Sequence, residues 1–246
     1  MTRVGTVIAL PGAVLAELAG APLDLAWIDL EHGALTPADV PAVAVGLRAA
    51  GCEAHVRLPS WRSEALGPVL DAGVDGVVVP AIETAGEAAA VVRAMRHPPA
   101  GARGYGPRRA GGYGRRAPGA AALTVQIESP RGVENAEAIA AVDGVDALVV
   151  GCSDLGLALG GAPGDLAAPR LAGAVARVAT AAAAAGAAFG VAGGGDPQAL
   201  AALAPAGAAP AVLVHSTDVR LYARAIDAMA AAARAGAERA GARTAR

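Results

Sequence analysis

The sequence predicts an α/β protein built as one closed (β/α)8 barrel, and three observations carry that expectation. Eight short apolar runs alternate with helical patterns at intervals of about 25 residues, the spacing such a barrel requires. The length of 246 residues suits a single barrel domain over 1–246 better than two small domains. No Gly-x-Gly-x-x-Gly follows the first strand, as a dinucleotide-binding open sheet would need, and polar residues after strands two, three, five and six suggest one shared rim.

The elements follow in order. Thr6 to Leu10 is an apolar strand stopped by Pro11 and Gly12, and Val14 to Leu18 begins a brief helix. Leu25 to Leu30 (LAWIDL) is the second strand and runs into Glu31, His32 and Gly33. Thr36 and Pro37 form an N-cap and N1 pair for a helix with Val40, Val43 and Leu47 on one face, ending near Gly51. The third strand, Glu53 to Leu58, stops at Pro59; a helix over Glu64 to Leu70 precedes the fourth strand, Gly76 to Pro80. Thr84 caps a helix over Ala85 to Met95.

From Arg96 to Ala122 the periodicity lapses into a long Gly, Pro and Arg-rich loop. Its Arg103, Arg108, Arg109, Arg115 and Arg116 could meet an acidic substrate group, a neighbouring subunit or only solvent. Leu123 to Ile127 and Ala147 to Val150 are the fifth and sixth strands. They are joined by a helix that Ser129, Pro130 and Arg131 open and that carries Val133, Ala136, Ile139 and Ala140 on one face. Pro169 to Ala185 is a long helix and Ala188 to Ala192 the seventh strand; Asp196 caps a helix through about Leu203. Ala211 to His215 is the eighth strand, and Thr217 begins a last helix reaching about Ala235.

Composition narrows the function. With 20 basic against 22 acidic residues there is no basic field for nucleic acid, and aromatics at 2% leave little for stacking bases. Apolar residues make up 54%, but Gly or Pro breaks every run before it could span a bilayer. Two cysteines, Cys52 and Cys152, build no disulfide framework. With no charged and apolar leader at the start, the expectation is a cytoplasmic protein. All 20 basic residues are arginine, so Schiff-base catalysis on a protein lysine is excluded, together with lysine-dependent pyridoxal phosphate and P-loop chemistry.

The chemistry-bearing residues collect at strand ends. Asp29, Glu31 and His32 follow strand two and Arg57 ends strand three; Gln126 and Glu128 share one side of strand five, and Asp154 follows strand six. Consecutive parallel strands bring Glu128 and Asp154 to one rim, where two hard oxygen ligands suit Mg2+ or Mn2+. A histidine to move protons, an arginine to meet an enolate and a cation to polarise a carbonyl describe enolate chemistry. Each residue taken alone also has a structural reading. His55, His97 and His215 read as structural, and Cys152 as a small buried thiol.

Several segments, in one order, resemble the HpcH/HpaI aldolase family. They are IDLEHG (Ile28 to Gly33), VRLPSW (Val56 to Trp61), VLDAGVDGVVVPAIETAGEA (Val69 to Ala88), RHPPAGARGYGP (Arg96 to Pro107), VQIESPRGVEN (Val125 to Asn135) and VDGVDALVVGCSDLGLALG (Val142 to Gly160). The resemblance implies a class II, metal-dependent aldehyde-lyase that cleaves 4-hydroxy-2-oxo acids reversibly to pyruvate and an aldehyde. It implies Glu128 and Asp154 as ligands of the cation (Mg2+ or Mn2+, with Co2+ also admitted) and Arg57 at the enolate. His32 would move protons, oriented by Asp71 or Asp29, and Gln126 would line the pyruvate site. The amides of Ser153 and Asp154 would hold the pyruvate carboxylate, and Arg109 would reach an aldehyde or a neighbouring site. The family also implies a homo-oligomer, trimer or hexamer, with the C-terminal helix exchanged between subunits. Alternatives are an acyl-CoA lyase like citrate lyase β and malyl-CoA lyase, or a catalytically silent metabolite-binding barrel. The chain departs from the family at Cys152, where proline is common, in a short segment before Leu23, and at Gly193 to Gly195 with His215.

Overall fold

Strands rich in Val, Leu, Ile and Ala are buried on both faces, as parallel strands covered by helices must be. In the computed structural model, which describes residues 1–162 and 164–244, they are β1 (Arg3–Ile8), β2 (Leu25–Asp29), β3 (Glu53–Arg57), β4 (Gly76–Val79), β5 (Ala122–Ile127), β6 (Ala147–Gly151), β7 (Ala188–Gly193) and β8 (Val212–Thr217). All pair in parallel, and β8 returns to β1, closing the barrel in sequence order. The helices are α1 (Ala13–Gly20), α2 (Val40–Ala49), α3 (Leu66–Asp71), α4 (Ala85–Met95), α5 (Pro130–Glu134), α6 (Ala136–Ala140), α7 (Cys152–Ala158), α8 (Pro169–Ala185), α9 (Pro197–Ala202) and α10 (Asp218–Thr244).

Alternation along each strand divides the core in two. Val7, Leu25, Trp27, Val78, Val149, Ala192 and Val214 fill the barrel interior, while Ile28, Val56, Val77, Val125, Leu148 and Val191 pack outward against the helices. The same alternation aims Asp29 and Gln126 inward above the apolar plug; both are buried, at 2% exposure each.

Caps place several helices where sequence does, although α2 starts at Val40 behind Asp39 and not at the expected Thr36 and Pro37 pair. Thr84 and Glu87 make a reciprocal capping box on α4, and Ser129 Oγ accepts from Gly132 N–H at the start of α5. The single helix expected after strand five breaks at Asn135 into α5 and α6. Helix α7 begins directly after β6 and carries Asp154 in its first turn. The final helix runs on to Thr244, nine residues past the expected end.

The long loop has a topological address. It runs from α4 into β5, and every helix-to-strand connection in such a barrel lies at the N-terminal face, opposite the strand ends. Arg103 is drawn onto Asp71 at 2.8 Å, and the 3-10 turn Arg109–Gly111 backs onto Gly73.

Candidate functional site

A cavity of about 250 Å³ opens at the C-terminal ends of the strands. His32, Arg57, Gln126, Glu128, Ser153 and Asp154 all face it, as do Val7, Trp27, Gly151, Ser216, Thr217 and Arg220. The barrel thus brings together most of the residues singled out by sequence, including both carboxylates expected to share one ion.

Asp29 and Arg57 are direct neighbours in the β2–β3 register. Arg57 Nε and Nη2 donate to the two oxygens of Asp29 at 2.9 and 2.8 Å, a fork-to-fork pair. Asp29 Oδ1 also accepts the backbone N–H groups of Glu31 (3.0 Å) and His32 (3.4 Å), which folds the loop after β2 back over the strand end. Burial works to raise the Asp29 pKa, but hydrogen bonding and charge from Arg57 outweigh it and hold the carboxyl below the usual range. Burial likewise works to lower the Arg57 pKa, and Asp29, Glu31 and Glu128 outweigh it in the other direction.

Glu31 stands 3.2 Å from Arg57 Nη1 at ion-pair distance, yet its buried Oε2 has no hydrogen bond among the described residues. Burial raises its pKa, opposed by Arg57 and His32 and assisted by Asp29 and Asp154. His32 lies at the mouth with its side chain 68% exposed, and its Nε2 is 3.8 Å from Glu31 Oε2. Asp29 therefore reaches His32 through the backbone, and Glu31 is the carboxylate that faces the ring.

Gln126 and Glu128 share one side of β5 and its continuation, and Gln126 Nε2 donates to Glu128 Oε1 at 2.9 Å. The other oxygen of Glu128 accepts from the N–H of Ala81 at 2.9 Å; Ala81 adopts φ 52°, an uncommon left-handed conformation for a residue with a Cβ, just after β4. Burial pushes the Glu128 carboxyl up to about 7, with Glu31 and Asp154 adding to the rise and the Ala81 N–H and Arg57 opposing it.

These features fit a divalent cation. Glu128 is half-buried near two further carboxylates, Glu31 and Asp154, and makes no ion pair among the described residues, where the buried Oε1 of Gln126 also has no hydrogen-bond partner. Among the described residues no group of three or more His, Cys, Asp and Glu side chains is disposed to cage a metal. A cation here would take two carboxylates and complete its shell with water or substrate oxygens, the habit of Mg2+.

Three expected site residues do not line this cavity within the chain: Asp29 stands behind Arg57 and holds it, and Asp71 and Arg109 lie elsewhere. Asp71 was expected to orient His32, but its carboxylate pairs with Arg103, and it lines a separate cavity with Arg109 and Tyr113. Arg109, expected to reach an aldehyde or a neighbouring site, lies within the chain in that second cavity for the topological reason given above. His55 pairs with Glu53 at 3.0 Å and His97 with the Arg103 carbonyl at 3.1 Å, both structural contacts. Cys152 is buried, its thiol pushed up to about 12 by that burial, so it is no thiolate.

Sequence reasoning gave no role to Ser216, Thr217, Arg220 or the glycines at 193 and 194, all of which line the cavity. The available signal was position: each sits just after β7 or β8, at the rim where barrel sites are built. His215 Nε2 bonds the Gly195 carbonyl at 3.0 Å and so ties the β7 loop to β8.

The family described as HpcH/HpaI aldolase/citrate lyase matches residues 10–234. A 4-hydroxy-2-oxovalerate aldolase from Rhodococcus jostii is 41% identical over 181 residues, covering 69% of each chain. A hydroxypyruvate/pyruvate aldolase from Paraburkholderia phytofirmans is 41% identical over 192 residues, 73% of this chain and 74% of that one. A crystal structure of a family protein from Burkholderia cenocepacia superposes with a TM-score of 0.85 at 34% identity, covering 95% of both chains.

Proposed function

Since the chain belongs to the HpcH/HpaI aldolase/citrate lyase family, we propose that the cavity at its strand ends cleaves a 4-hydroxy-2-oxo acid reversibly to pyruvate and an aldehyde. The observation that carries this reading is the convergence of Glu128 and Asp154, from neighbouring staves, on one cavity with Arg57. Held by these two carboxylates, a divalent cation (Mg2+, Mn2+ or Co2+) would supply Lewis-acid polarisation of the substrate's 2-oxo group.

The chain's own groups do the rest. Arg57, fixed by Asp29, presents its positive charge where negative charge develops on the enolate oxygen. Gln126 borders the same end, and the first-turn N–H groups of α7 at Ser153 and Asp154 receive the substrate carboxylate. His32, beside Glu31, takes the proton of the 4-hydroxyl at a ring nitrogen. The C3–C4 bond then breaks, its electron pair passing into the pyruvate enolate while C4 leaves as the aldehyde carbonyl. The imidazolium returns its proton to C3.

The assembly is part of the same reading. Helix α10 is 27 residues long and exposes Leu221, Tyr222, Ile226 and Met229, which supports packing against a neighbouring subunit in a homo-oligomer. Cys52 and Cys152 are free and buried, which supports a cytoplasmic setting. Among the described residues no helix is long and apolar enough to cross a membrane.

A chelation experiment tests the reading. Chelated protein is expected to lose cleavage of 4-hydroxy-2-oxo acids and the exchange of pyruvate methyl protons with deuterated water, and added Mg2+ or Mn2+ to restore both. Malyl-CoA serves as the control substrate. Full activity after chelation, or cleavage of malyl-CoA alone, overturns it.

A further inference from the structure

The proposed reaction accounts for one half of the cavity only. Glu128, Asp154 and Arg57 come from the β3, β5 and β6 side and take the 2-oxo acid end. Carbons beyond C3 must lie towards the opposite arc, where β1, β2 and β8 contribute Val7, Trp27 and Val214. That arc is apolar except for His32 at its mouth, Ser216 and Thr217, and it ends at a second guanidinium, Arg220, in the first turn of α10.

The two arginines of the cavity are treated differently. Arg57 is 12% exposed and matched by Asp29 and Glu31. Arg220 is exposed at the mouth, and among the described residues it has neither an ion-pair partner nor a side-chain hydrogen bond. Its placement is nevertheless built. Asp218 accepts the N–H groups of Ala9 and Leu10, both at 3.0 Å, which bolts the start of α10 to the end of β1. Thr217 Oγ1 accepts the N–H of Arg220 at 3.2 Å. The guanidinium lies over Gly194, where an added Cβ would stand 3.0 Å from Nη1, so the glycine leaves it room.

We propose that Arg220 is a specificity-determining residue that binds a carboxylate at the far end of the substrate, so that the preferred 4-hydroxy-2-oxo acid is a short diacid and the aldehyde it releases carries a carboxylate. This rests on the aldolase reading above. A planar guanidinium with no internal partner matches a carboxylate through two parallel hydrogen bonds. The cavity, about 250 Å³, is smaller than the roughly 300–1,000 Å³ of sites for drug-sized ligands, which suits a short diacid.

The test compares probes of equal length that differ in one terminal group. In the presence of Mg2+, calorimetry is expected to show 2-oxoglutarate binding the wild type about tenfold or more tighter than 2-oxopentanoate. Arg220→Met should erase that preference and Arg220→Lys should restore part of it. In turnover, the KM ratio of 4-hydroxy-2-oxopentanoate to 4-hydroxy-2-oxoglutarate should collapse towards one in Arg220→Met. Equal affinity of the wild type for both probes, or a preference that survives in Arg220→Met, overturns the proposal. Exchange of pyruvate methyl protons by the wild type reports separately on the aldolase reading, so its loss and the loss of the diacid preference are distinct results.

Discussion

Gly151 faces the carboxylate of Glu128 across the β5–β6 boundary so closely that a Cβ on the glycine would stand 2.6 Å from Glu128 Cγ. The backbone of Gly151, at φ −80° and ψ 89°, accommodates any L-residue, so the demand for glycine comes from the neighbour and not from the turn. Gly151→Ala should therefore displace Glu128 and leave the barrel folded. Mn2+ affinity measured by calorimetry, and cleavage with it, should fall roughly 10–100-fold, as when a supporting contact of a metal site is lost. Unchanged affinity in a variant with wild-type circular dichroism would show that Glu128 is not a ligand.

Asp29 is buried and holds Arg57 with both oxygens, so its charge serves stability and positioning together. Asp29→Ala leaves a largely buried guanidinium with Glu31 as its remaining acid partner and is expected to cost roughly 3–5 kcal/mol in urea unfolding. Arg57→Lys keeps the charge but loses the two-pronged contact, and should raise the KM for pyruvate in the condensation direction. A lysine variant with wild-type KM would remove Arg57 from the substrate site.

The carboxyl of Glu128 is pushed up to about 7 in the folded protein without metal, against 4.5 as its ordinary value. Between these pH values the folded state holds a proton that the unfolded chain has released, so stability falls as pH rises through the window, by about 3 kcal/mol from this group. The penalty is relieved when a cation occupies the site, so Mg2+ should stabilise the protein increasingly from pH 5 to pH 8. Thermal unfolding with chelator and with Mg2+ across that range measures it, and Glu128→Gln should flatten the chelated curve. Metal stabilisation that is constant with pH would contradict the assignment of Glu128.

Periodicity made the barrel legible. Apolar runs and capped amphipathic helices are local patterns, and α8 begins and ends at the residues the sequence indicates, Pro169 and Ala185. The departures come from longer-range causes. The split at Asn135 coincides with its side-chain amide reaching the Glu83 carbonyl at 2.8 Å, 52 residues away, and no periodicity encodes that contact. The site was legible in part for the same reason. Glu128, Asp154, Arg57 and His32 stand at strand ends, which sequence can count. Asp71 and Arg109, which the resemblance and not a strand end singled out, lie within the chain on a helix and in the loop of the opposite face, at the second cavity. Arg220 was missed because a single arginine in a helical pattern has no local signature.

By itself the sequence determined which residues could be strands, that there are enough of them to close a barrel, and that lysine chemistry is absent. Those properties are additive along the chain. Which groups become partners was decided by closure alone: the β2–β3 register sets Asp29 against Arg57, and parallel strands deliver Glu128, Asp154 and Arg220 to one cavity from positions up to 92 residues apart. Burial beside other acids, which raises Glu128 to about 7, is a property of that enclosed space. The electrostatics of the site therefore belong to the tertiary structure, because charge and desolvation act through distance in space, whereas periodicity acts through distance along the chain.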